Sequence, residues 1–174
     1  QPADDRDPRT GQRLRESEKQ RAAAPVAAAV AAPTVATDVP VSKRVTTPAQ
    51  QQEYDAAFNL MKVGQYDKAV KAFRAFLAKH PDSGLADNAQ YWIAEGNYVL
   101  RNYKLALEEF TKVLDYPQST KAADAQLKIG YVHYELGAYD KARKALTEAQ
   151  QHYPGTTVAK LAAARLEKMT KEGR

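Results

Sequence analysis

GQYDKAVKAFRAFLAKHPDS, residues 64–83, reads as an amphipathic helix with a turn at each end. Its skeleton returns twice, as RNYKLALEEFTKVLDYPQS (101–119) and GAYDKARKALTEAQQHYPGT (137–156). Tyr66, Tyr103 and Tyr139 mark the period, with steps of 37 and 36 residues. Three residues after each comes Ala69, Ala106 or Ala142, and four further on Phe73, Phe110 or Leu146. Pro81, Pro117 and Pro154 close the units. A fixed period of this size is the signature of stacked helical repeats, each unit burying its apolar face against its neighbours.

Ahead of each marked helix lies another apolar-periodic run: YDAAFNLM from Tyr54, AQYWIAEGNYVL from Ala89 and AQLKIGYVHYEL from Ala125. Each unit is therefore a helical hairpin, expected at about 50–81, 85–117 and 120–154. Nine positions before each marker tyrosine sits a small residue, Ala57, Ala94 or Gly130, placed to face Ala69, Ala106 or Ala142 where the two helices cross. Gly64 and Gly137 stand where the first helix must end, and glycine takes the left-handed conformation of a helix C-terminus without steric cost. Arg101 holds that place in the middle unit, which predicts a less favourable turn. PDSGLADNA (81–89), PQSTKAADA (117–125) and PGTTVAKLA (154–162) link the units. In each, proline stops a helix and Ser83, Ser119 or Thr156 is expected to cap the next. The third leads into TTVAKLAAARLEKMTKEGR, expected to form a capping helix at about 157–171.

Composition divides the chain in two. Residues 1–47 contain no aromatic residue and few large aliphatics, whereas all ten tyrosines, four phenylalanines and Trp92 lie beyond Pro48. The first part cannot bury enough surface to offset its ordering entropy, so a disordered Ala/Pro-rich linker is expected at 1–47 and a folded domain at 48–174. AAAPVAAAVAAPTVA (22–36) imitates a signal peptide, but two prolines and the acids before it argue for a linker. A start at Gln1 suggests a processed or truncated product.

The pI of about 9.3 does not mark a nucleic-acid binder. The segment 1–47 holds 8 Lys/Arg against 6 Asp/Glu, leaving 18 against 15 for the rest, and these alternate, as in DKAVKAFR. No run of 18 apolar residues is present to span a bilayer, and with no cysteine there are neither disulfides nor thiolate metal sites.

Alanine, three residues and then phenylalanine, with a proline after the second helix, resembles the tetratricopeptide repeat pattern. The match is weaker in the first helix of each unit, where the usual tryptophan and leucine are replaced. PDSGLADNAQYWIAEGNY (81–98), KAADAQLKIGYV (121–132) and HYPGTTVAKLAAARLEKM (152–169) narrow it further. They resemble the C-terminal repeat domain of the YbgF/CpoB family of cell division coordinators, from about Gln51 to Met169. That resemblance implies an all-α tetratricopeptide-repeat superhelix of three hairpins plus a capping helix, preceded by a disordered segment. It also implies a periplasmic, non-catalytic scaffold of the Tol-Pal system, with TolA and a peptidoglycan synthase as partners, linking septal peptidoglycan synthesis to outer-membrane constriction. Family members carry a signal peptide and trimerise through an N-terminal coiled coil. Here DDRDPRTGQRLRESEKQR (4–21) has one leucine and no heptad succession, so it forms no coil alone. Alternative roles are an adaptor of outer-membrane assembly or a self-associating scaffold.

Catalytic signals are weak. No two of His80, His133 and His152 share a helix face at i, i+4, and His80 and His152 stand at helix ends where an imidazole can meet terminal carbonyls. Glu108 and Glu109, with Lys104 and Lys112 nearby, read as solvated ion pairing. No phosphate loop, nucleophile elbow or zinc-ligand spacing occurs, so no cofactor or metal is expected. The candidate site is a partner-binding groove on the first helices of the hairpins. It comprises Tyr54, Phe58 and Met61, then Tyr91, Glu95 and Tyr98, then Leu127, Tyr131 and Tyr134. Some tetratricopeptide domains grip a terminal carboxylate with lysine and asparagine on this helix; Tyr54 and Phe58 take those places here, which argues against that mode.

Overall fold

The computed structural model describes residues 44–174, so the expected linker at 1–47, save its last four residues, lies outside the described part. Seven helices follow among the described residues: α1 (Pro48–Lys62), α2 (Tyr66–Lys79), α3 (Ala86–Val99), α4 (Tyr103–Leu114), α5 (Ala122–Glu135), α6 (Tyr139–His152) and α7 (Thr157–Lys171). They form an all-α tetratricopeptide-repeat superhelix: hairpins α1/α2, α3/α4 and α5/α6, each packed on the next, with α7 closing the stack. We call α1, α3 and α5 the first helices.

Packing follows the repeat. Ala57, Ala69, Ala94, Ala106 and Ala142 are all buried, which lets paired backbones approach. Gly130 makes a close crossing: a Cβ there would lie 2.7 Å from Leu146 Cδ2, one turn beyond the expected partner Ala142. Phe73, Phe110 and Leu146 are fully enclosed, each in its own apolar cluster, and burying such a side chain contributes roughly 1.5–3 kcal/mol. Gly96 brings α3 against α2 in the same way, since a Cβ there would lie 2.5 Å from Val70 Cγ2.

The hairpin turns share one hydrogen-bond pattern. Gly64 (φ 75°), Arg101 (φ 62°) and Gly137 (φ 72°) all adopt the left-handed conformation. In each, that residue's N–H and the following one return to the last helical turn, as in Gly137 N to Tyr134 O at 3.0 Å and Ala138 N to His133 O at 2.9 Å. Arg101 makes the same pair, to Tyr98 O at 3.0 Å and, through Asn102 N, to Asn97 O at 2.9 Å. The turn is therefore identical, and its cost falls on the arginine Cβ, about 1–2 kcal/mol for a left-handed residue. α7 ends in a fourth such turn, with Gly173 at φ 70°.

The loops correct one expectation. Thr156 caps α7, its Oγ1 accepting from Ala159 N at 3.2 Å, and Thr47 caps α1 in a reciprocal box with Gln50. Ser83 and Ser119 do not cap: α3 and α5 start at Ala86 and Ala122, with Leu85 and Lys121 in the cap positions. The serine oxygens accept instead from the N–H two residues on, Leu85 N at 3.2 Å and Lys121 N at 3.0 Å. Ser119 also donates to Asp87 Oδ2 at 2.7 Å, so its hydroxyl ties the second loop to the buried start of α3.

A second correction concerns Glu109, which is 2% exposed rather than solvated. Its carboxylate accepts from Arg74 Nη2 at 2.8 Å and Gln90 Nε2 at 2.5 Å, with Lys112 Nζ at 3.3 Å, joining α2, α3 and α4. Gln126 repeats the glutamine's part 36 residues on, donating to Ala145 O and Glu148 Oε2. Arg44–Thr46 cross the first inter-hairpin loop so closely that a Cβ on Gly84 would lie 2.5 Å from Arg44 O.

Candidate partner-binding face

Alignment by the period places residues in rows that run from hairpin to hairpin. The nine candidate positions form three rows: Tyr54, Tyr91, Leu127; Phe58, Glu95, Tyr131; and Met61, Tyr98, Tyr134. Burial separates them. Tyr54, Tyr91 and Leu127 are 9%, 7% and 4% exposed and belong to the seam between hairpins rather than to an open surface. The other six, Phe58, Met61, Glu95, Tyr98, Tyr131 and Tyr134, are half-buried.

A fourth row, absent from the expected site, organises the face. Trp92, Lys128 and Arg165 follow one another at 36 and 37 residues, and each reaches back to the preceding first helix. Trp92 lies 4.9 Å from the Phe58 ring and donates its indole Nε1–H to Tyr54 Oη at 2.9 Å. Lys128 Nζ stands 5.2 Å from the Tyr98 centroid and 2.9 Å from Glu95 Oε1. Arg165, on α7, covers Tyr131 at 4.3 Å and Tyr134 at 5.0 Å. A flat indole, a lysine stem and a guanidinium can all cover a ring, so one backbone position tolerates three residue types. The recurrence at the repeat period was available in the sequence; the backward reach of the side chains was not.

Two further groups border these rows. Lys121, at the start of α5, sits 5.3 Å above the Tyr91 ring and 6.0 Å from Trp92. At the last turn, Tyr134 Oη donates to Glu172 Oε2 at 2.6 Å and receives Arg174 Nη1 at 2.8 Å. Arg174 also covers Tyr139, which packs edge-on against Tyr134.

The electrostatics keep every ring neutral near pH 7. Burial, opposed by the Trp92 hydrogen bond, pushes the Tyr54 phenol up to about 12. Burial likewise raises Tyr91, Tyr98 and Tyr131, while at Tyr134 the hydrogen bond to Glu172 is the leading cause of the rise. Neutral phenols give the face hydrogen-bonding tips on large apolar bodies. Glu172 is correspondingly held below the usual carboxylate range, first by Tyr134 and then by nearby Arg174.

Two of the histidines, His80 and His152, make contacts at helix ends. His80 Nε2 meets a carboxylate rather than a helix-end carbonyl, lying 3.1 Å from Glu53 Oε2, while Lys79 holds the other oxygen at 2.6 Å. His152 ends α6 with its ring edge-on to Tyr153. Among the described residues no group of three or more His, Asp or Glu could hold a metal, and no helix is long and apolar enough to cross a membrane.

The tetratricopeptide repeat family model matches residues 54–119 and 96–156, together 103 of the 174 residues. A 44-residue stretch is 59% identical to the cell division coordinator CpoB of Pseudomonas putida, covering 25% of this chain but only 16% of that relative. Among solved structures, the Yersinia enterocolitica type III secretion chaperone SycD, in complex with a peptide of the translocator YopD, superimposes with a TM-score of 0.63 at 16% identity. That likeness covers 74% of this chain and 98% of SycD. The second such domain of human RPAP3, in complex with an HSP70 peptide, gives 0.58 at 19% identity over 70% and 96%. At these identities the likeness to both structures is one of fold. The chain belongs to the tetratricopeptide repeat family.

Proposed function

We propose that the chain is a periplasmic, non-catalytic scaffold of the Tol-Pal system. On this reading its first helices hold a segment of TolA, coupling septal peptidoglycan synthesis to outer-membrane constriction, with a peptidoglycan synthase as a further partner. The observation that carries a binding role is the succession of half-buried rings, Phe58, Tyr98, Tyr131 and Tyr134, on three consecutive first helices. Half-buried aromatics are already ordered by their neighbours, so a partner gains contact area with little further loss of side-chain freedom. The cell-division assignment draws on the 59% identity to CpoB, and two peptide-bound relatives of the fold support a peptide-sized partner. Replacing Tyr98 and Tyr131 with alanine should weaken TolA binding about tenfold or more while melting stays cooperative. Unchanged affinity in titration calorimetry would sink the assignment of this face.

Exposed aliphatics favour a second reading, self-association. Val63 is 67% exposed, Val99, Leu105 and Leu136 are also open, and Leu105 and Leu136 share a depression beside Tyr103. Light scattering over a range of concentrations separates the two, since a mass that does not grow with concentration removes the self-associating scaffold.

A further inference from the structure

The row that runs through Trp92, Lys128 and Arg165 changes character along the stack, from an apolar plate at the first seam to cations at the later ones. Of these cations Lys128 is neutralised by Glu95, at 2.9 Å. Arg165, and Lys121 beside the row, make no ion pair: each rests on rings, among the described residues no carboxylate oxygen lies within 4.0 Å of either, and Glu172 acts on Arg165 only from beyond that distance. The carboxylates that face this side from the packed helices are already engaged or set apart. Glu95 is held by Lys128, Glu172 by Tyr134 and Arg174, and Asp124 and Glu135 act only at a distance on Tyr91 and Tyr98. A cation resting on a ring is held in place and partly stripped of water, so a carboxylate arriving from outside forms a charge-assisted bond at little ordering cost.

We propose that this face binds a protein segment that is both apolar and acidic, its apolar side chains against Phe58 and Trp92 and its carboxylates on Lys121 and Arg165. This inference rests on the partner-binding reading of the same face and adds the chemistry of the partner. Lys121 stands beside the Phe58–Trp92 plate, 6.0 Å from the Trp92 ring, and Arg165 lies on α7 at the C-terminal end of the stack, so the acidic part of the segment runs from the plate toward α7. Terminal carboxylate capture is not required, because side-chain carboxylates satisfy both cations.

Selection of random displayed peptides on the full chain, in parallel with the Lys121→Gln, Arg165→Gln double variant, tests this. Wild-type selection should enrich Asp and Glu together with apolar residues, and the recovered peptides should bind the variant about tenfold more weakly. Their affinity should also fall with added salt. Wild-type peptides with no acidic excess, or with equal affinity for both proteins, overturn the inference while leaving the binding face intact. Recovery of no peptide from the wild type contradicts the binding-face reading and this inference with it. Arg165 also covers α5, so Lys121→Gln alone, which leaves α7 untouched, serves if the double variant melts non-cooperatively; a drop in acidic-peptide affinity is expected there too, and no drop overturns the inference.

Discussion

The α1–α3 seam and the α5–α7 seam use the same addresses in the repeat, yet they are closed by opposite chemistry. At the first, Trp92 lies on Phe58 and bonds Tyr54, making a layer of rings continuous with the apolar cluster around Phe73. At the last, Arg165 covers Tyr131 and Tyr134, and Arg174 and Glu172 lock the Tyr134 hydroxyl. A repeat therefore constrains shape at this row, a long or flat side chain over a ring, while leaving charge free to vary. Stability should be concentrated at the first seam and electrostatic specificity at the last.

The largest effect that could break this contrast is the alanine pair. Trp92→Ala removes the ring layer and the indole bond and should cost about 3 kcal/mol. Arg165→Ala removes a half-exposed cation–π contact and should cost about 1 kcal/mol or less. Chemical denaturation of both variants checks this, and equal losses would show that the two seams are energetically alike.

Acid should separate the two seams, whereas alkali weakens both, because the Tyr54 and Tyr134 phenols are each raised. The folded Tyr54 phenol lies at about 12, above the ordinary 10, so its neutral burial contributes fully below pH 10. As pH rises from 10 through 12 that contribution is lost, up to about 2 kcal/mol. Glu172 is depressed, so its contribution is present above the usual carboxylate range and is lost as pH falls through its folded value. Hydrogen exchange should accordingly show α7 opening first in acid and the Trp92 region holding until alkali. Simultaneous opening at acid pH would contradict the separate electrostatic role of the last seam.

The smallest effects lie at the turns, where equal geometry is reached by unequal residues. Gly137→Ala should cost about 1 kcal/mol, while Arg101→Gly should stabilise by about 0.5–1 kcal/mol, because glycine relieves the left-handed strain but frees the unfolded chain. Thermal melting of the two variants should move in opposite directions.

Much of this architecture was legible from local spacing. Small residues at the crossings, enclosed Phe73 and Phe110, and even the strained turn at Arg101 follow from aligning three copies of one unit. What escaped was set by partners distant in sequence. Glu109 looks like one more charge on a solvated helix until Arg74, 35 residues earlier, and Gln90 arrive beside it. Gln90 and Gln126, recurring at 36 residues within otherwise apolar stretches, were the available sign of that network. Ser119 resembles a helix cap, but its hydroxyl is claimed by Asp87 from the preceding hairpin. In the candidate site, spacing identified the helices, yet it did not separate Tyr54, Tyr91 and Leu127, which seal seams, from their half-buried neighbours. That distinction depends on how far each helix is rotated against the next.

Trp92 is the single tryptophan, and its indole N–H sits at the apolar end of the proposed face, which makes it a direct reporter. Titrating isotope-labelled protein with TolA should move the Trp92 indole resonance together with the amides of Tyr98 and Tyr131. The amides of α2, α4 and α6 should stay largely in place. Shifts confined to those second helices, with the Trp92 indole unmoved at saturation, would contradict the account.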